Sequence, residues 1–186
     1  MSDGNFQMPS KEIWTIGHSI LPMDAFLDML GSFRIEMLVD VRRYPGSRRY
    51  PQFNKDNMAP VLAEQGISYE HLEALGGRRT PSPDSPNTAW RMAQFRGYAD
   101  HMATAEFQNA LDLVKEWAVE RRVAIMCSEA VWWRCHRSLI ADRSKSEGWL
   151  VWNILGAGKA EEHPYTKAAR IVDGKLDYSA PDRSRK

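Results

Sequence analysis

The amino-acid sequence predicts a three-layer α/β domain, Rossmann-like, with a largely parallel sheet of about five strands and helices on both faces. Three observations carry that expectation. Short, nearly unbroken apolar runs of strand length recur along the chain, ended by glycine or polar residues. Segments whose apolar residues recur at helical spacing separate them. The runs also lack the in–out alternation of a half-solvated sheet, so both sheet faces should be covered.

The elements follow in order. Ile13 to Ile16 reads as a buried strand ending at Gly17. After Pro22, which suits a helix start, Met23, Phe26, Leu27 and Leu30 share one helical face, and Gly31 can end it. Met37 to Val39 is a second strand running into Asp40. A helix from about Lys55 places Met58, Val61 and Leu62 together until Gly66, and Ile67 to Tyr69 makes a short third strand. Residues 76–90, GGRRTPSPDSPNTAW, read as a long loop, a feature that is often functional inside a compact domain. The strongest helix covers about Glu106 to Arg121, with Phe107, Ala110, Leu111, Val114, Trp117 and Ala118 on one stripe. Val123 to Met126 is a fourth strand, about Trp133 to Glu147 a helix, and Leu150 to Leu155 a fifth strand. Asp173-Gly174 between short mixed runs suits a hairpin over Arg170 to Tyr178. Residues 1–11 and 181–186 are expected to be flexible, leaving 12–180 as one domain.

Composition narrows the classes of function. The chain has 186 residues, enough for one domain with a sizeable core. It is 43% hydrophobic and 26% charged, as soluble globular proteins are. A formal net charge of +1 gives no bulk attraction to nucleic acid or anionic membrane, so any electrostatic recognition must be local. No apolar run has the length of a membrane span, so no membrane partner is expected. The opening MSDGNFQMPSK lacks a basic start and an apolar middle. With only two cysteines, that points to the cytoplasm, where a structural disulfide is disfavoured.

In an open parallel sheet, ligands bind beyond the carboxyl ends of the strands. The first strand is followed by Gly17-His18-Ser19, the second by DVRRYPGSRR, and the fourth by CSEAVWWRCHR. Polar and reactive groups therefore collect at one predicted sheet edge. In the second segment Pro45 and Gly46 impose a turn that can aim Arg42, Arg43, Ser47 and Arg48 at one anion. The alternative is a solvated basic loop paired with nearby acids. Gly76 to Arg79 adds two further arginines.

CSEAVWWRCHR contains both thiols. Structural zinc favours cysteines two to four residues apart, whereas seven residues separate Cys127 from Cys135. If Cys135 and His136 lay on a helix, their side chains would diverge by about 100 degrees. No metal and no cofactor are therefore expected, although a metal or thiol site at Cys127 and Cys135 stays open. A phosphatase or rhodanese loop fits poorly, because the segment has no glycine and two tryptophans. Cys127, between a strand end and a helix start, is a candidate nucleophile or a buried core residue. Glu129 and Asp40, each at a strand end, are candidate general acids, bases or nucleophiles, or else partners in structural ion pairs. His136 and Arg137 begin a helix, whose free N–H groups favour an anion. Trp132 can stack on a ring or cap the core, and His18 can join the same crevice. His71, His101 and His163 read as surface or satisfied core residues.

The ordered motifs IGHS, DVRRYPGSRR, LGGRR, CSE and CHR resemble the family catalogued as domain of unknown function 488, over roughly Ile13 to Ile154. The resemblance implies a bacterial or archaeal cytosolic α/β protein. Its characteristic positions map onto Asp40, Arg42, Pro45, Ser47, Cys127, Glu129, Cys135, His136 and Arg137. It implies no particular reaction. Together these readings point to a small enzyme, a hydrolase or transferase, that binds a phosphate-bearing, nucleotide-like anion. The alternative is a non-catalytic nucleotide or nucleic-acid binding module. Oligomeric state is not addressed by the sequence.

Overall fold

In the computed structural model, residues 11–181 are described, and the strands form around the expected apolar runs. Residues 1–10 and 182–186, where flexible ends are expected, lie outside the described residues. The strands are β1 Glu12–Gly17, β2 Met37–Asp40, β3 Ser68–His71, β4 Val123–Cys127 and β5 Leu150–Gly156. They pair in parallel in the order β3-β2-β4-β1-β5. A sixth strand, β6 Lys159–Glu162, adds to the edge antiparallel to β5. Its sequence KAEE has no apolar run to announce it; β5 and the tight turn at Gly158, with φ of 64°, place it. Arg170–Val172 (β7) and Lys175–Asp177 (β8) make the expected hairpin, with Asp173 and Gly174 both at positive φ.

Helices α1 Met23–Ser32 and α2 Lys55–Glu64 cover one face of the sheet. Their Phe26, Leu30, Met58 and Leu62 pack on Ile16, Leu38, Ala124 and Met126. The other face carries α3 Ala93–His101, α4 Ala105–Glu120 and α5 Arg137–Ser146. There Tyr98, Phe107, Leu111, Val114 and Leu139 meet Ile13, Val39, Val123, Ile125 and Val151. The molecule is therefore a three-layer, Rossmann-like α/β fold.

The site follows from this topology. After β1 the chain turns into α1 on one face, and after β4 it turns into α5 on the other. The two strands are neighbours, so their connections part and leave a crevice at their carboxyl ends. Register aligns Gly17 with Cys127 and Asp40 with Met126, so all three strand ends reach the same level. One local expectation changes. The helix expected from about Trp133 starts only at Arg137, after a 3-10 turn over Trp132–Arg134 and an extended Cys135 (φ −120°, ψ 144°).

Candidate functional site

A cleft of about 730 Å³ opens over the ends of β1, β2 and β4. Its walls carry Arg42, Arg43, Arg49, Arg78 and Arg134, against a single carboxylate, Glu129. Arg42 is neutralised by the buried Asp40 behind it, so four guanidinium groups against one carboxylate make a cationic concavity on a chain of nearly neutral charge. Tyr44 stands at its mouth, 61% exposed, with the guanidinium groups of Arg43 and Arg78 at 5.8 and 5.6 Å from its ring centre.

The floor consists of Cys127, Cys135 and His136. The His136 Nε2–H donates to the Val41 carbonyl at 3.0 Å, which turns Nδ1 toward the two sulfurs. Nδ1 lies 3.9 Å from Cys127 Sγ and 3.7 Å from Cys135 Sγ. Both cysteines are free and buried. The Cys127 thiol is held well below its ordinary range, mainly by a hydrogen bond from the Cys135 thiol, with His136 and the Glu129 backbone N–H outweighing burial. Burial pushes Cys135 the other way, so it is the protonated member of the pair. Gly77 packs flat on the imidazole: a Cβ there would come 2.8 Å from Nδ1 and 3.1 Å from Cγ. That close approach accounts for a glycine in the LGGRR motif.

Around this floor stands a polar frame. The Asp40 carboxylate accepts from the Arg42 backbone N–H, from Arg42 Nε and Nη2, and from the Tyr69 hydroxyl at 2.7 Å. Arg42 Nη2 also donates to the Phe53 carbonyl, and Nη1 lies 3.2 Å from His18 Nε2. His18 donates through Nδ1 to the Ser19 carbonyl, and burial together with Arg42 lowers its pKa to about 4, so it is a neutral acceptor. Arg137 is 1% exposed and donates to the main-chain carbonyls of Glu129 and Ala130. It passes so close to β1 that a Cβ on Gly17 would fall 2.8 Å from its Nη1 and 1.9 Å from the Glu129 carbonyl oxygen. The glycine of IGHS is required there.

The expected site residues thus divide. Cys127, Glu129, Arg42, Arg43, Ser47, His18 and His136 all line the cleft. Asp40 does not, because Arg42 and Tyr69 occupy its oxygens; its observed role is to hold Arg42. Arg137 is a buried brace for the 127–130 turn rather than a surface anion ligand. Arg48 is exposed but outside the cleft, where Arg49 takes the place expected for it. Trp132 points away, donating its indole N–H to Glu161 at 2.6 Å and meeting the His163 ring edge-on. The ion pair considered for Glu129 is not formed among the described residues, since Arg137 takes its main-chain oxygen instead. Among the lining residues that could touch a ligand, Tyr44, Arg49 and Arg134 were not singled out as ligands from the sequence, and Arg78 entered only with the pair in Gly76 to Arg79. The repeated RR pairs and the tyrosine between them were the available signal.

The model of the family described as "Domain of unknown function DUF488" matches residues 22–144, about two thirds of the chain. The chain belongs to this family. The match includes the arginine loop, the GGRR segment and the whole cysteine–histidine floor, so the cleft is built from family residues together with the β1 end just before them. No curated protein and no solved structure gives a significant match. No helix among the described residues is long and apolar enough to cross a membrane.

Proposed function

We propose that this DUF488 protein is a small enzyme that binds a phosphate-bearing, nucleotide-like anion in the cleft and transforms it over the Cys127–His136 floor. The observation that carries this reading is the wall of four arginines not tied to Asp40, namely Arg43, Arg49, Arg78 and Arg134, around one concavity at the strand ends. Guanidinium forks match phosphate oxygens bidentately. Tyr44, flanked by Arg43 and Arg78, supplies a ring face for a base at the place Trp132 does not fill. Glu129 stands at the rim as the one carboxylate able to move a proton to or from the ligand. A reaction centre at the floor, hydrolytic or group-transferring, fits the position of Cys127 and His136 beneath the arginines.

Isothermal titration with pyrophosphate and with nucleoside mono- and diphosphates tests the anion site. One site per chain is expected. Arg78→Ala and Arg43→Ala should each weaken it roughly tenfold, the scale of a lost charged hydrogen bond. Incubation with the ligands that bind, followed by product analysis, separates an enzyme from a binding module. Absence of any phosphate binding would refute the reading.

A further inference from the structure

The floor of the cleft offers something the anion site alone does not need. Among the described residues, Cys127, Cys135 and His136 are the one cluster in which three metal-ligating atoms all lie within 4.8 Å of each other. We propose that these three residues form a site for a thiophilic divalent cation, zinc by preference, whose fourth position opens into the arginine-lined cleft. The inference rests on the cleft being the functional site, and it gives that site its Lewis acid.

Geometry is the first support. Around a tetrahedral zinc with its usual bond lengths, a sulfur and a nitrogen ligand stand about 3.6 Å apart. The two S···N separations here are 3.9 and 3.7 Å, within a few tenths of an ångström of that value, and all three ligand atoms lie within 4.8 Å of one another. The second support is the histidine itself. A ligating imidazole donates its other N–H to a carbonyl or carboxylate, and His136 Nε2–H is fixed in that way on Val41 while Nδ1 faces the sulfurs. The third is donor softness: two thiols and one imidazole favour zinc over magnesium or calcium. Three protein ligands with an open fourth position is the pattern of a catalytic rather than a closed structural zinc. Spacing along the chain concealed the site. Cys135 is extended rather than helical, so it and His136 turn toward the same point, and the 3-10 turn returns the chain to Cys127.

The test uses the full chain, reduced and stripped of metal, titrated with Zn²⁺ or Co²⁺ alone. One equivalent should bind, and the cobalt form should show the sulfur-to-metal charge-transfer band and the intense visible bands of a tetrahedral thiolate site. Cys135→Ser and His136→Ala should abolish those bands, with an unchanged far-ultraviolet circular dichroism spectrum and a cooperative thermal transition in each variant reporting that the fold survives. Arg78→Ala should retain metal while losing affinity for pyrophosphate, which separates this proposal from the anion site. Metal binding without anion binding would support the metal centre and sink the proposed function. Anion binding by a reduced chain that takes up no Zn²⁺ or Co²⁺ would overturn the metal centre, as would metal binding that survives both Cys135→Ser and His136→Ala.

Discussion

At Asp40 a carboxylate with no solvent exposure meets the guanidinium of Arg42 at 2.6 Å, with Tyr69 completing its shell. Removing one partner of such a pair leaves the other charged and buried. Asp40→Asn should therefore cost about 3–5 kcal/mol in urea unfolding. A loss below about 1 kcal/mol would mean that Arg42 finds solvent or another partner. Glu129 belongs to the opposite class. It is exposed at the cleft rim, and its side chain supports no ion pair among the described residues. Glu129→Gln should leave the unfolding midpoint unchanged while abolishing turnover of any ligand that the cleft accepts. If the variant instead unfolds readily, the carboxylate is structural. The same contrast explains what the sequence conveyed at this scale. Both residues follow apolar strands, and one-dimensional pattern shows that a carboxylate sits at a strand end but not which partner reaches it. Tyr69 reaches Asp40 because β3 pairs with β2 in register, Asp40 opposite His71, whereas Arg42 folds back on it from two residues along the chain.

Elements with a strong apolar period were legible. Strands β1, β2, β4 and β5 and helices α1, α2 and α4 follow from it; β3, whose SYEH is nowhere buried, was read one residue early from Ile67, and Asp173-Gly174 marked the hairpin. Helix α3 was not, because Gly97, Gln94, Arg96, Asp100 and His101 interrupt its apolar stripe, leaving Phe95, Tyr98 and Ala99 as its buried apolar residues. The long loop before α3 is held to it through Asp100. That carboxylate accepts from the Ser82 backbone N–H at 2.8 Å, from Asn87 Nδ2 at 2.7 Å and from the Ser85 hydroxyl. Partial burial pushes its pKa up, but the hydrogen bonds from Ser85, Asn87 and Ser82 outweigh it and the net shift is downward. A lowered carboxylate binds fewer protons folded than unfolded, so its contribution is complete above the ordinary value of 3.8 and is lost as pH falls through the lowered one. Hydrogen exchange at the Ser82 amide, corrected for the intrinsic rate, should be slow at neutral pH and fast in Asp100→Ala. It should also quicken in the wild type below that ordinary value. Equal protection in wild type and Asp100→Ala would show that packing alone orders the loop.

Across the whole molecule, a near-neutral chain gathers a local cluster of arginines where three strands end. Attraction for a phosphate is therefore local. It should weaken as ionic strength rises and the screening length falls from about 10 Å at 0.1 M to about 3 Å at 1 M. Pyrophosphate affinity measured across that range should fall continuously, whereas salt-independent binding would point to an apolar determinant. Most of the sheet edge was foreseeable, because ligands in an open parallel sheet gather where connections part. The detailed membership was not. Arg48 and Arg49 differ only in which way a turn faces them, and Cys135 joins the floor through an extended residue between two helical segments. The most direct measurement of the central claim is a crystal structure of the full chain grown with pyrophosphate. The account predicts the anion inside the cleft, contacting at least two of Arg43, Arg49, Arg78 and Arg134 above Cys127. Pyrophosphate found only elsewhere on the surface, with those guanidinium groups directed away from the cleft, would contradict it.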